Sequence, residues 1–259
     1  WEAHYLNNDP MRINTLTDRA VNFVRRNHAA GTPFFLQLSH YATHVDMQTQ
    51  EKIYEKYLAK PRGRIHSHPA WAGMLEDLDT GIGRLLDEVD RLGLTGNTYI
   101  VFMADNGAAE FIPPVKNKLD HPSVFATPPR NSPLRGGKWV LYEGGIRVPF
   151  IVSGPGVKAG AQCDVPVVGW DLLPTFADLA GYTRPLPADL DGGSFRALLA
   201  RGEGTVVRPQ SPLIFHRYAS GYPHSAMRVG DDKLVKIWKT GALELYDLRT
   251  DPGERTNLA

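Results

Sequence analysis

Apolar side chains at Trp71, Met74, Leu75, Leu78, Ile82, Leu85, Leu86, Val89 and Leu92 recur at i, i+3, i+4 spacing through about five turns. No other run in the chain constrains the fold as strongly. Gly93 and Gly96 end the helix it predicts, and residues 99–104 (YIVFMA) come next as a continuous apolar strand. Such a run suits the middle of a parallel sheet covered on both faces. An earlier cycle has the same order. Residues 16–29 set Leu16, Ala20, Val21, Phe23 and Val24 between Arg19, Asn22, Arg25 and Arg26, an amphipathic helix that Thr17 or Asp18 is placed to cap. Gly31 and Pro33 end it, and residues 34–38 (FFLQL) read as a mostly buried strand. With a third apolar run at 148–152, this alternation predicts an α/β layered fold. Residues 171–180 (DLLPTFADLA) read as a short helix with Pro174 early, where a missing N–H is tolerated.

From about residue 208 the texture changes. Residues 212–216, 226–229, 233–238 and 243–248 read as short strands joined by Gly-containing turns, a small antiparallel β subdomain. The expected division is therefore 1–207 for the α/β part and 208–259 for the meander. Composition supports a packed core: the 259 residues are 42% hydrophobic and 22% charged. Lys plus Arg is 29 against 28 Asp plus Glu, so charge supplies no reason for a nucleic-acid groove or an anionic membrane partner. Cys163 is the only cysteine, which rules out an internal disulfide. No apolar run approaches the roughly 18 residues of a transmembrane helix. No targeting signal is legible, and both ends read as the interior of a longer polypeptide.

In open α/β sheets ligands collect beyond the carboxyl ends of strands. Two strands end there in residues suited to chemistry: Ser39-His40-Tyr41-Ala42-Thr43-His44 after the first, Asp105-Asn106-Gly107 after the second. Asp105 and Asn106 offer two oxygens to one hard cation, Ca2+ or Mg2+ rather than zinc. Alone, Asn-Gly is a common turn dipeptide and reads as a turn. Alone, too, a histidine after a strand is more often a hydrogen-bonded residue than a catalyst, and the other histidines lack metal-like spacing. His66-Ser67-His68 reads as structural. In the 107–145 loop, Pro133-Leu134-Arg135-Gly136-Gly137-Lys138 can bring an ammonium group and backbone N–H groups to an anion. A lone Gly-Gly-Lys is equally a solvated lysine, and Arg135 and Arg147 read as structural partners of acidic residues.

Taken in order, these pieces resemble the type I sulfatase family, the arylsulfatase-like branch of the alkaline phosphatase superfamily. The segments that carry the resemblance are PFFLQLSHYATH (33–44), MLEDLDTGIGRLLDEVDRLGL (74–94), ADNG (104–107), PLRGGK with LYEGGIRVPF (133–150), WDLLPTFADLAG (170–181), LDGGSF (190–195) and AMRVGDDKLV with ELYDLRTDPGERTNLA (226–259). It covers nearly everything from about residue 15 onward. The resemblance implies the C-terminal half of an α/β/α alkaline-phosphatase-like fold. It makes Asp105 and Asn106 ligands of a single divalent cation, usually calcium. Lys138 would bind a sulfate oxygen, and His44 would contact sulfate and help protonate the leaving alcohol.

Two departures stand out: Asp46 where family members often have Pro, expected to alter the pocket entrance, and Ala104 where Ser is commoner. The family's nucleophile is a formylglycine made from Cys or Ser in Cys/Ser-x-Pro/Ala-x-Arg. Cys163 lacks that context, reading as an inert core or loop residue, and Ser132-Pro133-Leu134-Arg135 has the wrong spacing. The nucleophile, the Asp pair completing the metal site and its Lys/His set are therefore expected upstream, about half of an active site lying in this chain. The resemblance thus implies a sulfuric ester hydrolase acting on a sulfated small molecule or glycan, periplasmic or secreted, and matured by a formylglycine-generating or sulfatase-maturing enzyme. Two alternatives stand beside it. One is a phosphonate monoester hydrolase or phosphodiesterase of the same superfamily. The other is a non-catalytic segment that binds a cation or a sulfated glycan. The loops at 46–68 and 107–132 and the residues around His216 and His224 are expected to shape the pocket.

Overall fold

The computed structural model describes residues 5–44, 47–63, 66–109, 130–218 and 221–259. They fall into two compact units. One carries the described residues through Gly96 together with Arg130; the other carries 97–109 and the described residues of 131–259.

The first unit is built on helices α1 (Ile13–Ala29), α2 (Glu51–Leu58) and α3 (Pro69–Arg91). The apolar stripes of α1 and α3 face each other, and Gly81 lets them close. A Cβ there would lie 2.7 Å from Ile13 Cγ2 and 2.9 Å from Thr17 Oγ1. Thr17 is fully buried in that seam, so it is packing rather than a cap. The helix starts earlier than its apolar pattern, because Asp9 satisfies its first donors. Asp9 Oδ1 accepts Asn14 N–H at 2.8 Å and Thr15 N–H at 3.4 Å, and Oδ2 accepts the Thr15 hydroxyl at 2.5 Å. Asp18 pairs instead with Arg84.

Farther along the seam Glu88 accepts two hydrogen bonds each from Arg25 and Arg91, which hold its carboxyl far below the usual carboxylate range. A second core joins Tyr5, Met47, Tyr54, Ala70 and Met74. Buried Asp77 anchors the entry to α2 by accepting Thr49 Oγ1 and Gln50 Nε2, each at 2.7 Å. Helix α2 falls in the segment read as a loop. Its Tyr54 is buried and Ile53 half-buried, but eight residues are too few for periodicity to separate helix from loop. His68 is buried edge-on against Tyr5, in line with a structural role.

Residues 34–38 form no strand. They alternate in exposure, Phe35 being 67% exposed, but no described segment offers them a backbone ladder.

In the second unit β1 (Ile100–Met103) pairs with β2 (Phe150–Ser153), and the pairing is antiparallel, not parallel. Phe102 stands opposite Ile151 on a face that is open in this chain, whereas Phe150 packs edge-on against Phe195. Between them lies α4 (Glu143–Ile146), a single turn. Helix α5 (Leu172–Leu179) carries Pro174 in its first turn, as expected, and α6 (Arg196–Arg201) comes after it. Fully buried Asp171 ties this region together. It accepts Arg208 Nε at 2.8 Å and Nη2 at 2.6 Å, with the Val168 and Gly193 N–H groups on the same carboxylate.

The C-terminal meander is present. Strands β3 (Leu213–Arg217), β4 (His224–Val229), β5 (Asp232–Ile237) and β6 (Leu243–Asp247) form a four-stranded antiparallel sheet in sequential order. Val229 pairs with Asp232 across a two-residue turn whose first residue, Gly230, has φ 59°. Ala226, Val235 and Tyr246 bury one face of the sheet against Tyr142 and Leu248. No described helix is long and apolar enough to cross a membrane.

Candidate active site

Strand β1 delivers the chain to Asp105 and Asn106, at a meeting of three backbone segments. Ala104 N–H reaches Pro149 O at 3.4 Å, one residue beyond the ladder. Gly107 N–H donates to Gly145 O at 3.0 Å, and a Cβ on Gly107 would overlap Gly144 O. The Gly144-Gly145 turn of α4 rests on the 135–138 loop. Gly144 N–H donates to Arg135 O at 2.8 Å, and a Cβ on Gly144 would run into the carbonyls of Arg135 and Gly136. Only glycine permits these approaches. The third side is closed by Lys138 N–H donating to Ala108 O at 3.0 Å. Asn131 locks it: its Oδ1 accepts Ala108 N–H, and its Nδ2 donates to Ala108 O and Gly136 O.

Asp105, Asn106 and Lys138 are thus held within one small backbone framework in the second unit. Asp105 Oδ1 accepts Asn106 N–H at 2.9 Å, and Asn106 Nδ2 donates to Gly107 O at 3.1 Å. These bonds leave Asp105 Oδ2 and Asn106 Oδ1 as hard oxygens on adjacent residues. Their chemistry fits a Ca2+- or Mg2+-type ion, which takes six or more oxygens, so they are part of a shell. Among the described residues no group of three or more His, Cys, Asp or Glu gathers to complete one. Immediately after Lys138 the chain turns at Trp139 with φ 78°, a conformation costing about 1–3 kcal/mol for a bulky residue. The Trp139 ring lies 5.5 Å from Lys138 Nζ.

Beneath the framework lies a foundation that single-sequence reading did not find. Glu143, Lys233 and Glu254 are all buried, with Lys233 Nζ 2.9 Å from Glu143 Oε1 and 2.8 Å from Glu254 Oε1. Glu254 Oε2 also accepts the Glu143 N–H at 2.6 Å, fixing the start of α4. Burial pushes the Glu254 carboxyl above its ordinary range, against the opposing pull of Lys233. Arg135 is structural, as read. Its guanidinium stacks 3.8 Å over the Tyr142 ring and donates to Tyr246 Oη at 2.6 Å and Glu244 Oε2 at 3.2 Å. Burial raises the Tyr246 phenol to about 12. Arg147 lies 3.9 Å from Glu143, and Cys163 is an exposed loop residue. The signals available were Lys233 at an inward strand position and the acids of the Glu-Gly-Gly and Asp-Pro-Gly-Glu segments; nothing in the spacing pairs them.

His224 is wholly buried, a structural residue rather than part of a pocket wall. Its Nε2 accepts Leu141 N–H at 2.9 Å and its Nδ1 donates to Tyr222 O at 2.7 Å, a neutral ring with one donor and one acceptor. Burial lowers its pKa from the ordinary 6.5. The unfolded chain therefore takes up a proton that the folded chain refuses, and stability falls as pH drops below about 6.5 until the folded imidazole titrates. Urea midpoints at pH 7.5 and 5.5 should show this loss, and His224→Gln should remove part of it. An unchanged pH slope in the variant would contradict the assignment.

His44 belongs to the first unit. Its N–H donates to Tyr41 O at 2.9 Å, and it borders a cavity of about 600 Å3 together with Asn7, Asp9, Arg12, Tyr41 and Gln48. Asp46 and most of the 107–132 loop lie outside the described residues.

Known proteins are built from the same segments. A Sulfatase family model matches residues 2–182, and a model for the N-sulphoglucosamine sulphohydrolase C-terminal region matches 137–259. A sulfatase of Formosa agariphila is 31% identical over 94% of this chain and 45% of its own length. Human steryl-sulfatase is 33% identical over 89% of this chain and 36% of its own length. The crystal structure of Ps i-CgsB in complex with k-i-k-neocarrahexaose superposes with a TM-score of 0.78 at 28% identity, over 95% of this chain and 50% of that one. The chain therefore spans half or less of these relatives' length, and over that span it has the alkaline-phosphatase-like fold of a sulfatase. On family match, sequence similarity and fold together, the chain belongs to the sulfatase family.

Proposed function

We propose that the protein containing this chain hydrolyses a sulfate ester to an alcohol and inorganic sulfate, and that this chain supplies the part of the site that holds the sulfate and releases the alcohol. The observation that carries this reading is the glycine framework that holds Asp105, Asn106 and Lys138 together. A divalent cation, Ca2+ or Mg2+, would supply charge neutralisation on the sulfate, and a formylglycine outside this chain would supply the nucleophile. Asp105 Oδ2 and Asn106 Oδ1 would be two of the cation's ligands. Lys138 Nζ would bind a non-bridging sulfate oxygen, where the ester's charge resides, and stabilise it as the S–O bond breaks. A ring nitrogen of His44 would pass a proton to the leaving alcohol oxygen. The neighbour crystallised with a neocarrahexaose supports a sulfated glycan as substrate. Family membership supports a periplasmic or secreted location and maturation by a formylglycine-generating enzyme.

The direct test is sulfate release from an aryl sulfate and from sulfated oligosaccharides, monitored by ion chromatography. Activity should disappear on chelation and return with Ca2+ or Mg2+. No release from any sulfate ester with both ions present would refute the reading.

A further inference from the structure

The cavity beside His44 has a wall whose construction the hydrolysis of a simple ester does not require. We infer that Arg12, with Gln48 and Tyr41, forms a subsite for a second anionic group, a further sulfate carried by the same glycan near the ester that is cleaved. This rests on the functional reading above and names the substrate class within it.

Met11 and Arg12 are consecutive residues in the left-handed region, at φ 48° and 56°, where neither side chain is favoured. The surroundings over-determine this shape. Arg12 N–H donates to Asp9 O at 3.0 Å, Met11 N–H to Gln48 Oε1 at 3.0 Å, and Asn7 Nδ2 to the same Gln48 oxygen at 2.9 Å. A strained backbone held this firmly aims a side chain. The one it aims is an exposed guanidinium on the cavity wall that makes no hydrogen bond or ion pair with the described residues.

Asp9 is the acid nearest in sequence, but its carboxylate is turned to the start of α1, taking the Asn14 and Thr15 donors. The helix N-terminus is thereby satisfied and is not the anion site. Because Gln48 Oε1 is occupied twice, its Nε2 is the amide's remaining group, a donor on the same wall. A planar five-donor fork beside an amide donor matches the oxygens of a sulfate. Tyr41, 61% exposed, adds an apolar face on which a sugar ring can lie. His44 borders the same cavity, so a group bound here is within one pocket of the proposed proton donor.

The test compares two substrates on the intact protein: a monosulfated aryl ester and an oligosaccharide bearing two sulfates. Arg12→Asn is the informative variant, because Asn accepts the left-handed backbone while removing the charge. Its kcat/KM ratio, disulfated oligosaccharide over aryl sulfate, should fall at least tenfold, mainly through KM, and the parent's preference should weaken with added salt. Arg12→Lys should fall between the two. A ratio within twofold of the parent, in a variant with parental circular dichroism, overturns the subsite while leaving the hydrolase standing. No hydrolysis of either ester by the parent overturns both.

Discussion

Lys233→Met should be the most destabilising single substitution in the second unit, costing about 3–5 kcal/mol, as expected when one partner of a buried ion cluster is removed. The side chain is 1% exposed, and both acids that face it, Glu143 and Glu254, are buried. Methionine fills much of the volume but leaves two carboxylates close together with their shared cation gone. Arg228 and Arg147, at 4.0 and 3.9 Å from Glu143, reach only one of them. For a chain of this size the loss corresponds to a melting temperature lower by on the order of 10 °C. Because the pair is buried, the deficit should change little with salt. Lys233→Met combined with Glu254→Gln should recover part of it, since Gln keeps an acceptor for the Glu143 N–H without the second charge. A single variant melting within 2 °C of the parent would mean that the cluster is not a support. Position sets the functional consequence: Glu143 opens the Glu-Gly-Gly turn on which Gly107 rests, so loosening it should also loosen the seat of Asp105 and Asn106.

How much of this was legible in the sequence depends on whether a feature is periodic or convergent. Helix α3 was plain because eight apolar residues repeat along it, and the meander because its turns are punctuated by Gly230 and Gly241. The direction of β1 was not legible. An apolar run such as IVFM specifies that a strand seeks burial, not which neighbour it pairs with or what covers its faces, and Phe102 and Ile151 are open here. Residues 34–38 make the same point: alternation alone does not make a strand. At the site, Asp105, Asn106 and Lys138 were nameable singly, and their order carried the family. Their joining through Gly107, Gly144 and Asn131 was not legible, because what closes it on Asp105 and Asn106 is contact between segments 23 to 38 residues apart, Ala108 with Asn131 and Gly107 with Gly145. Arg12 had no signal at all; only its left-handed backbone and the cavity beside it draw notice.

Lys138→Ala should lower kcat/KM for sulfate esters by about 10²–10³, the loss typical when one preorganised donor to developing charge is removed. The framework explains why the effect should be chemical rather than structural. What seats residue 138 is its main-chain N–H on Ala108 O and the glycine contacts on either side, none of which uses the side chain. The approach of Nζ to the Trp139 ring is worth about 0.5–1 kcal/mol, and the melting temperature of the variant, read beside its kinetics, separates a chemical loss from a structural one. If Lys138 meets the sulfate more strongly as the S–O bond breaks, the loss falls on kcat; if it only holds the ground state, it falls on KM. Lys138→Arg retains the charge but replaces a compact ammonium with a planar fork, in a loop whose neighbours leave no room for a Cβ on Gly144 or Gly145, so it should rescue poorly. Asp105→Ala provides the contrast: its deficit should be reduced by raising Ca2+ or Mg2+, whereas that of Lys138→Ala should not. Near-parental turnover in Lys138→Ala, with the fold intact, would remove this lysine from the sulfate and move the site elsewhere in the framework.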